Sequence, residues 1–253
     1  MQKKYKKIIN SYKDFNKIFD DAFIGIPKEF INEDKPYYGT LNTFLKKYGN
    51  IELCNCTTLF FMHGSAGLRK GSVYRKWVVE EGFIFFSPNS FRVKKRPTYE
   101  TPTKLKKYEK VHSFRQAEIY YCQERLNELN FIDTKNLFLM GNSEGGLAAA
   151  AYKHRDFKGR VITAYSCENG YYSKDFKIGA SKSEPILNII GTHDEFFSND
   201  SKPTKNYKVQ GHCTDALRKY RNAKVVILPQ TKHDITTNIY VKNDILSFLH
   251  LWK

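Results

Sequence analysis

At 253 residues, 41% of them hydrophobic and 15% aromatic, the chain is long enough for one sizeable core and short for two full domains. It holds no run of about 18 apolar residues, which excludes an α-helical membrane span. The net charge of +16 is spread along the chain without a zinc-finger or RNP-type motif, so a solvated lysine-rich surface is expected rather than a specific nucleic-acid site.

The N-terminus begins with Lys3, Lys4, Lys6 and Lys7, but only Ile8 and Ile9 follow before polar residues resume. A signal peptide needs roughly 7–15 apolar residues there, so an unexported, cytoplasmic protein is expected. Tyr12, Phe15, Ile18 and Phe19 fall at helical spacing, and Leu41, Phe44 and Leu45 suggest a second helix ending near Gly49. Residues 1–50 thus read as a helical extension packed on a main body, because so short a piece supports no core of its own. Five cysteines lie at 54, 56, 122, 167 and 213; the odd count and scattered spacing do not suggest a disulfide framework. Cys54 and Cys56 would share one face of a strand as two free thiols.

From residue 51 short apolar runs alternate with helical patterns. Residues 57–62, 83–86, 137–140, 161–165, 186–190 and 224–228 read as strands. Residues 73–80, 111–130, 147–152, 214–220 and 244–252 read as helices. That rhythm implies a mainly parallel sheet with helices on both faces, an α/β fold.

The strongest chemical signal is Gly141-x-Ser143-x-Gly145, placed between an apolar strand and a small-residue helix. There the serine would sit on a sharp turn with its hydroxyl projecting from the sheet edge, a nucleophile elbow. A serine hydroxyl needs a base to take its proton. His233 follows the last strand, at the edge where catalytic groups of open α/β sheets gather; His63, His193 and His212 are rivals. The base in turn needs a carboxylate to fix its tautomer. Asp194, in the turn after the 186–190 strand, is expected in that role, ahead of its neighbour Glu195. An oxyanion hole should use the backbone N–H of Glu144, after the serine, and one from the loop His63-Gly64-Ser65-Ala66-Gly67, with Ser65 preferred and Ala66 close behind.

The strand-His-Gly turn, the Gly-Asn-Ser-Glu-Gly-Gly elbow, the Gly-Thr-His-Asp turn and the late Lys-His-Asp together resemble the α/β-hydrolase superfamily. Ser-Pro-Asn-Ser-Phe-Arg at 87–92, Asp133 ahead of the elbow strand and the short interval from Asp194 to His233 are similar to the dienelactone-hydrolase-like branch. The resemblance spans roughly residues 55 to 250. It implies an α/β-hydrolase catalytic domain over 51–253 with no large cap. The namesake enzymes carry cysteine at the elbow, so Ser143 places this chain nearer the serine esterases of that branch. The implied activity is hydrolysis of a small acyl ester through an acyl-serine, without metal or organic cofactor. A peptidase or acyltransferase using the same triad, or a non-catalytic anion-binding protein on the same fold, are the alternatives. Arg92 and Arg96, with Lys94 and Lys95, lie near a strand end where they could hold an anionic group of the substrate.

Overall fold

A computed structural model of the chain describes residues 2–52, 56–68, 71–154 and 157–253. Its centre is an eight-stranded sheet of order β2-β1-β4-β3-β5-β6-β7-β8. The strands are β1 (Phe23–Ile26), β2 (Tyr37–Thr40), β3 (Thr58–Met62), β4 (Ile84–Ser87), β5 (Leu137–Asn142), β6 (Gly159–Thr163), β7 (Ile186–Gly191) and β8 (Ala223–Leu228). From β4 across to β8 every pairing is parallel, whereas β1 runs antiparallel to both β2 and β4.

The helices are α1 (Gln2–Asn10), α2 (Lys17–Asp20), α3 (Lys28–Ile31), α4 (Leu41–Tyr48), α5 (Ser72–Glu80), α6 (Leu105–Arg125), α7 (Glu144–Ala151), α8 (Thr214–Leu217) and α9 (Tyr240–Trp252). Alternate residues of a strand face opposite sides of the sheet. Leu59 and Phe61 of β3 accordingly pack with Val78 of α5 and Ile245 and Leu249 of α9. Phe60 and Met62 pack on the other face with Phe19 of α2, Phe44 of α4, Phe114 of α6 and Ala148 of α7. The central strands β3 to β7 are buried on both faces, which is why they appear in the sequence as mainly apolar runs, with Arg160 and Asn188 as buried polar exceptions.

Two sequence expectations are corrected here. Residues 1–50 are not helical throughout: β1 and β2 extend the sheet beyond β4, with Phe23 paired to Ser87 and Ile24 to Phe86. Each of these strands has only four residues, too few for a period-two signal to stand out. Where the scattered spacing suggested no disulfide framework, Cys167 and Cys213 form a disulfide across 46 positions. The turn after β6 and the start of α8 bring them together, a proximity that spacing alone does not carry. Cys122 is a buried thiol and Cys56 is also buried; Cys54 lies outside the described residues. Among the described residues no helix is long and apolar enough to cross a membrane.

Candidate active site

Strand β5 runs straight into Ser143, which takes φ 57° and ψ −119° before α7 begins at Glu144. A side chain rarely sits in that left-handed region, and the surroundings hold it there. A Cβ on Gly141 would lie 2.1 Å from the carbonyl oxygen of Gly145. A Cβ on Gly145 would lie 2.0 Å from the carbonyl oxygen of Met62. Glycine is therefore required at both positions for α7 to fold back over the ends of β3 and β5. The backbone N–H of Ser143 donates to the Thr163 carbonyl on β6 at 3.0 Å, closing the turn.

The carboxylate and the histidine come from the ends of β7 and β8, on the far side of β6. After β7, Asp194 is fully buried, and one of its oxygens accepts the N–H groups of Phe196 and Phe197 at 2.9 and 3.0 Å. Its other oxygen lies 2.7 Å from Nδ1 of His233, in the loop after β8. Nε2 of His233 lies 2.9 Å from Oγ of Ser143. The two loops are tied by backbone: the N–H of His193 donates to Thr231 at 3.0 Å and that of Gln230 to Oγ1 of Thr192 at 2.9 Å. Glu195, the lesser carboxylate candidate, accepts the backbone N–H of His233 at 2.9 Å instead of touching its ring. Burial raises the Glu195 carboxyl, but the bonds from backbone N–H groups, that of His233 first, outweigh it and leave the group below its ordinary range. Of the rival histidines, His63 is buried and stacked on Phe91, and burial holds its imidazole well below the ordinary range.

The loop after β3 lies against the nucleophile: a Cβ on Gly64 would be 3.4 Å from Cβ of Ser143. Gly67 N–H donates to the Gly64 carbonyl at 3.1 Å, so Ser65 and Ala66 occupy the middle of that turn with N–H groups it does not use. Ser65 and Ala66 line the same cavity as Ser143 and His233. The N–H of Glu144 belongs to the first turn of α7, where no intrahelical acceptor exists.

Directly behind this loop lies a buried charge cluster that sequence reading missed. The Glu144 carboxylate meets Nη2 of Arg96 at 3.1 Å and faces Nε of Arg115 at 3.6 Å, an ion pair too long for a hydrogen bond. Arg115 also pairs with Glu118 at 3.0 Å, donates from Nη2 to the His63 carbonyl at 2.8 Å, and contacts the Ser90 hydroxyl. The only sequence hint was a glutamate inside the elbow, a position facing the protein interior.

The cavity in front of Ser143 has a volume of about 270 Å³, walled by Phe61, Tyr99, Tyr172, Phe196 and Phe197. Neither Arg92 nor Arg96 lines it, which corrects their expected role in substrate binding. Nε of Arg92 pairs with Asp21 at 2.6 Å, and the Lys94 backbone N–H donates to Asp14 at 3.1 Å. That basic loop clamps the N-terminal segment, and a sequence shows a charge without its partner. Arg96 is buried beside Glu144, with its guanidinium 4.5 Å from the centre of the Phe91 ring.

No protein-family model matches the chain, and no curated protein matches it by sequence. Solved structures do match its architecture. TT1662 from Thermus thermophilus is 17% identical with a TM-score of 0.56, over 80% of this chain and 91% of that one. Est1E from Butyrivibrio proteoclasticus, solved with ferulic acid, is 14% identical with a TM-score of 0.54, over 92% and 94%. A candidate dienelactone hydrolase from Klebsiella pneumoniae is 18% identical with a TM-score of 0.53, over 79% and 88%. The chain thus has the α/β-hydrolase fold, in the arrangement these structures share.

Proposed function

We propose that this protein is a serine hydrolase that cleaves a carboxylic ester through an acyl-Ser143 intermediate. The observation that carries the reading is the unbroken relay from Ser143 Oγ to His233 to Asp194, at 2.9 and 2.7 Å, on a cavity wall. Ser143 Oγ attacks the ester carbon while Nε2 of His233 takes its proton. The carbonyl oxygen becomes an oxyanion and accepts from the N–H groups of Ser65 and Glu144. Collapse breaks the bond to the leaving alcohol, which receives the proton from Nε2. Water then adds to the acyl-serine with His233 again as base, releasing the acid and restoring Ser143. Asp194 keeps the Nδ1 proton on the far side of the ring and stabilises the imidazolium.

The aromatic walls favour a substrate with a small apolar group beside the scissile carbonyl. Residence in the cytoplasm stays part of this proposal.

A fluorophosphonate probe tests the reading. Wild-type protein is expected to be labelled at Ser143 and to turn over short aryl esters. Ser143→Ala should abolish the labelling, and His233→Ala should abolish turnover while the protein stays folded. A folded wild type that is neither labelled nor active on any short ester would remove the hydrolase reading.

A further inference from the structure

The two N–H groups assigned to the oxyanion hole come from segments about 80 positions apart in sequence, yet they must converge on one atom. Strands β3 and β5 fix their spacing only as far as Met62 and Gly141, the last paired residues of that ladder. Beyond it each segment becomes a turn, and something else must set the distance between residues 65 and 144.

We propose that Arg115 is the positioning residue that fastens both halves of the oxyanion hole at once. The inference rests on the serine-hydrolase reading. Its buried guanidinium donates from Nη2 to the carbonyl of His63, the residue that leads into the Gly64–Gly67 turn, at 2.8 Å. On another edge its Nε faces the carboxylate of Glu144, the first residue of α7, at 3.6 Å. Nη1 pairs with Glu118 one turn along α6 at 3.0 Å, which aims the fork. A rigid planar cation can reach three groups in three directions; a lysine ammonium on a flexible stem cannot hold all three at fixed angles. The contact of Gly145 with the Met62 carbonyl brings the segments together, and Arg115 fixes their remaining freedom from behind.

The charge count supports positioning over a direct electrostatic role. Arg96 and Arg115 are matched by Glu118 and Glu144, so the cluster presents no net charge to the site. Arg115 also does not line the cavity. It acts through the backbone it holds, and its loss should be felt where the oxyanion forms more than where neutral substrate binds.

A trifluoromethyl ketone separates these effects. Ser143 Oγ adds to its carbonyl carbon, the proton passes to His233, and the resulting hemiketal oxyanion occupies the hole. In Arg115→Lys, kcat on an aryl acetate is expected to fall about ten- to a hundredfold, the scale of a small misplacement at a reacting centre. KM should stay within about threefold, a split marking an interaction made mainly in the transition state. The ketone's inhibition constant should rise by the same factor by which kcat/KM falls. If Arg115→Lys does not fold, the double variant Arg115→Met with Glu118→Gln leaves no unpaired charge, keeps the Arg96–Glu144 pair, and is read the same way. A folded variant whose kcat and ketone affinity both stay within about threefold of wild type overturns the proposal. So does one whose loss lies wholly in KM. A wild type that the fluorophosphonate does not label fails at the earlier reading, and the positioning role falls with it.

Discussion

Asp194 and Glu195 are neighbours in one turn, and the fold gives them different partners. Asp194 has one oxygen committed to two backbone N–H groups and the other to the His233 ring. In Asp194→Asn the amide keeps the shape but can present an N–H to Nδ1, forcing the proton to the wrong nitrogen. The expected fall in kcat is about 10⁴-fold. Glu195 accepts the main-chain N–H of His233 without touching its ring, and glutamine can accept it as well, so Glu195→Gln should cost less than about tenfold. Steady-state turnover of one aryl ester by both variants decides; equal losses would mean that Asp194 does not serve the imidazole. At this scale the candidate site was largely legible. Ser143, Asp194 and His233 each follow a strand rich in aliphatic residues, so their shared edge could be inferred before any coordinate. Arg92 and Arg96 could not be placed that way, because their partners Asp21 and Glu144 are distant in sequence.

Helix α6 shows why the support behind the site was harder to read. Its apolar stripe through Ile119 and Cys122 was visible, but Arg115, Glu118, His112 and Gln123 are buried as well. A helix that buries its polar side too loses the contrast between faces on which amphipathic reading depends. His112 gives this burial a measurable consequence, because desolvation pushes its imidazole down to about 4. In the unfolded chain it titrates near 6.5. Between those values the unfolded state binds a proton that the native state does not, so stability rises with pH. The contribution is complete above about pH 6.5 and is lost as pH falls toward about 4; from pH 7 to pH 5 the loss is about 2 kcal/mol. Urea unfolding of wild type and His112→Gln at both pH values tests it, and the variant should lose about 2 kcal/mol less. His63 is shifted the same way but is present in both proteins, so the comparison isolates residue 112. Equal losses would mean that His112 is charged in the native state.

Across the whole molecule, the parallel part of the sheet carries the relay, and its outlying segments are fastened to it by contacts between remote parts of the chain. On one side, Asn89 N–H donates to the Ile18 carbonyl at 3.0 Å, and Arg92 holds Asp21, docking the N-terminal strands and helices on the body. On the other, the loop that leaves Asp194 returns at Cys213, where the disulfide to Cys167 meets it. Glu168 reinforces the join by accepting the N–H groups of Gln210 and Gly211 at 2.6 and 2.9 Å. These long-range closures were invisible in the sequence, because neither a four-residue edge strand nor two separated cysteines announce their partners. The disulfide makes the sharpest demand on the intact protein. For a separation of 46 residues, chain entropy alone gives about 4 kcal/mol. In a chain of this size that corresponds to a fall in melting temperature of roughly 8–16 °C on reduction. Peptide mapping of the unreduced protein should recover the 167–213 pair, and the melting temperature should drop by that amount in reductant and in Cys167→Ser with Cys213→Ser. A map with both thiols unpaired, or melting indifferent to reductant, would remove the disulfide from the fold. Structural disulfides belong mainly to oxidising compartments, so recovery of this pair from native material would also count against the cytoplasmic residence expected from the N-terminal sequence.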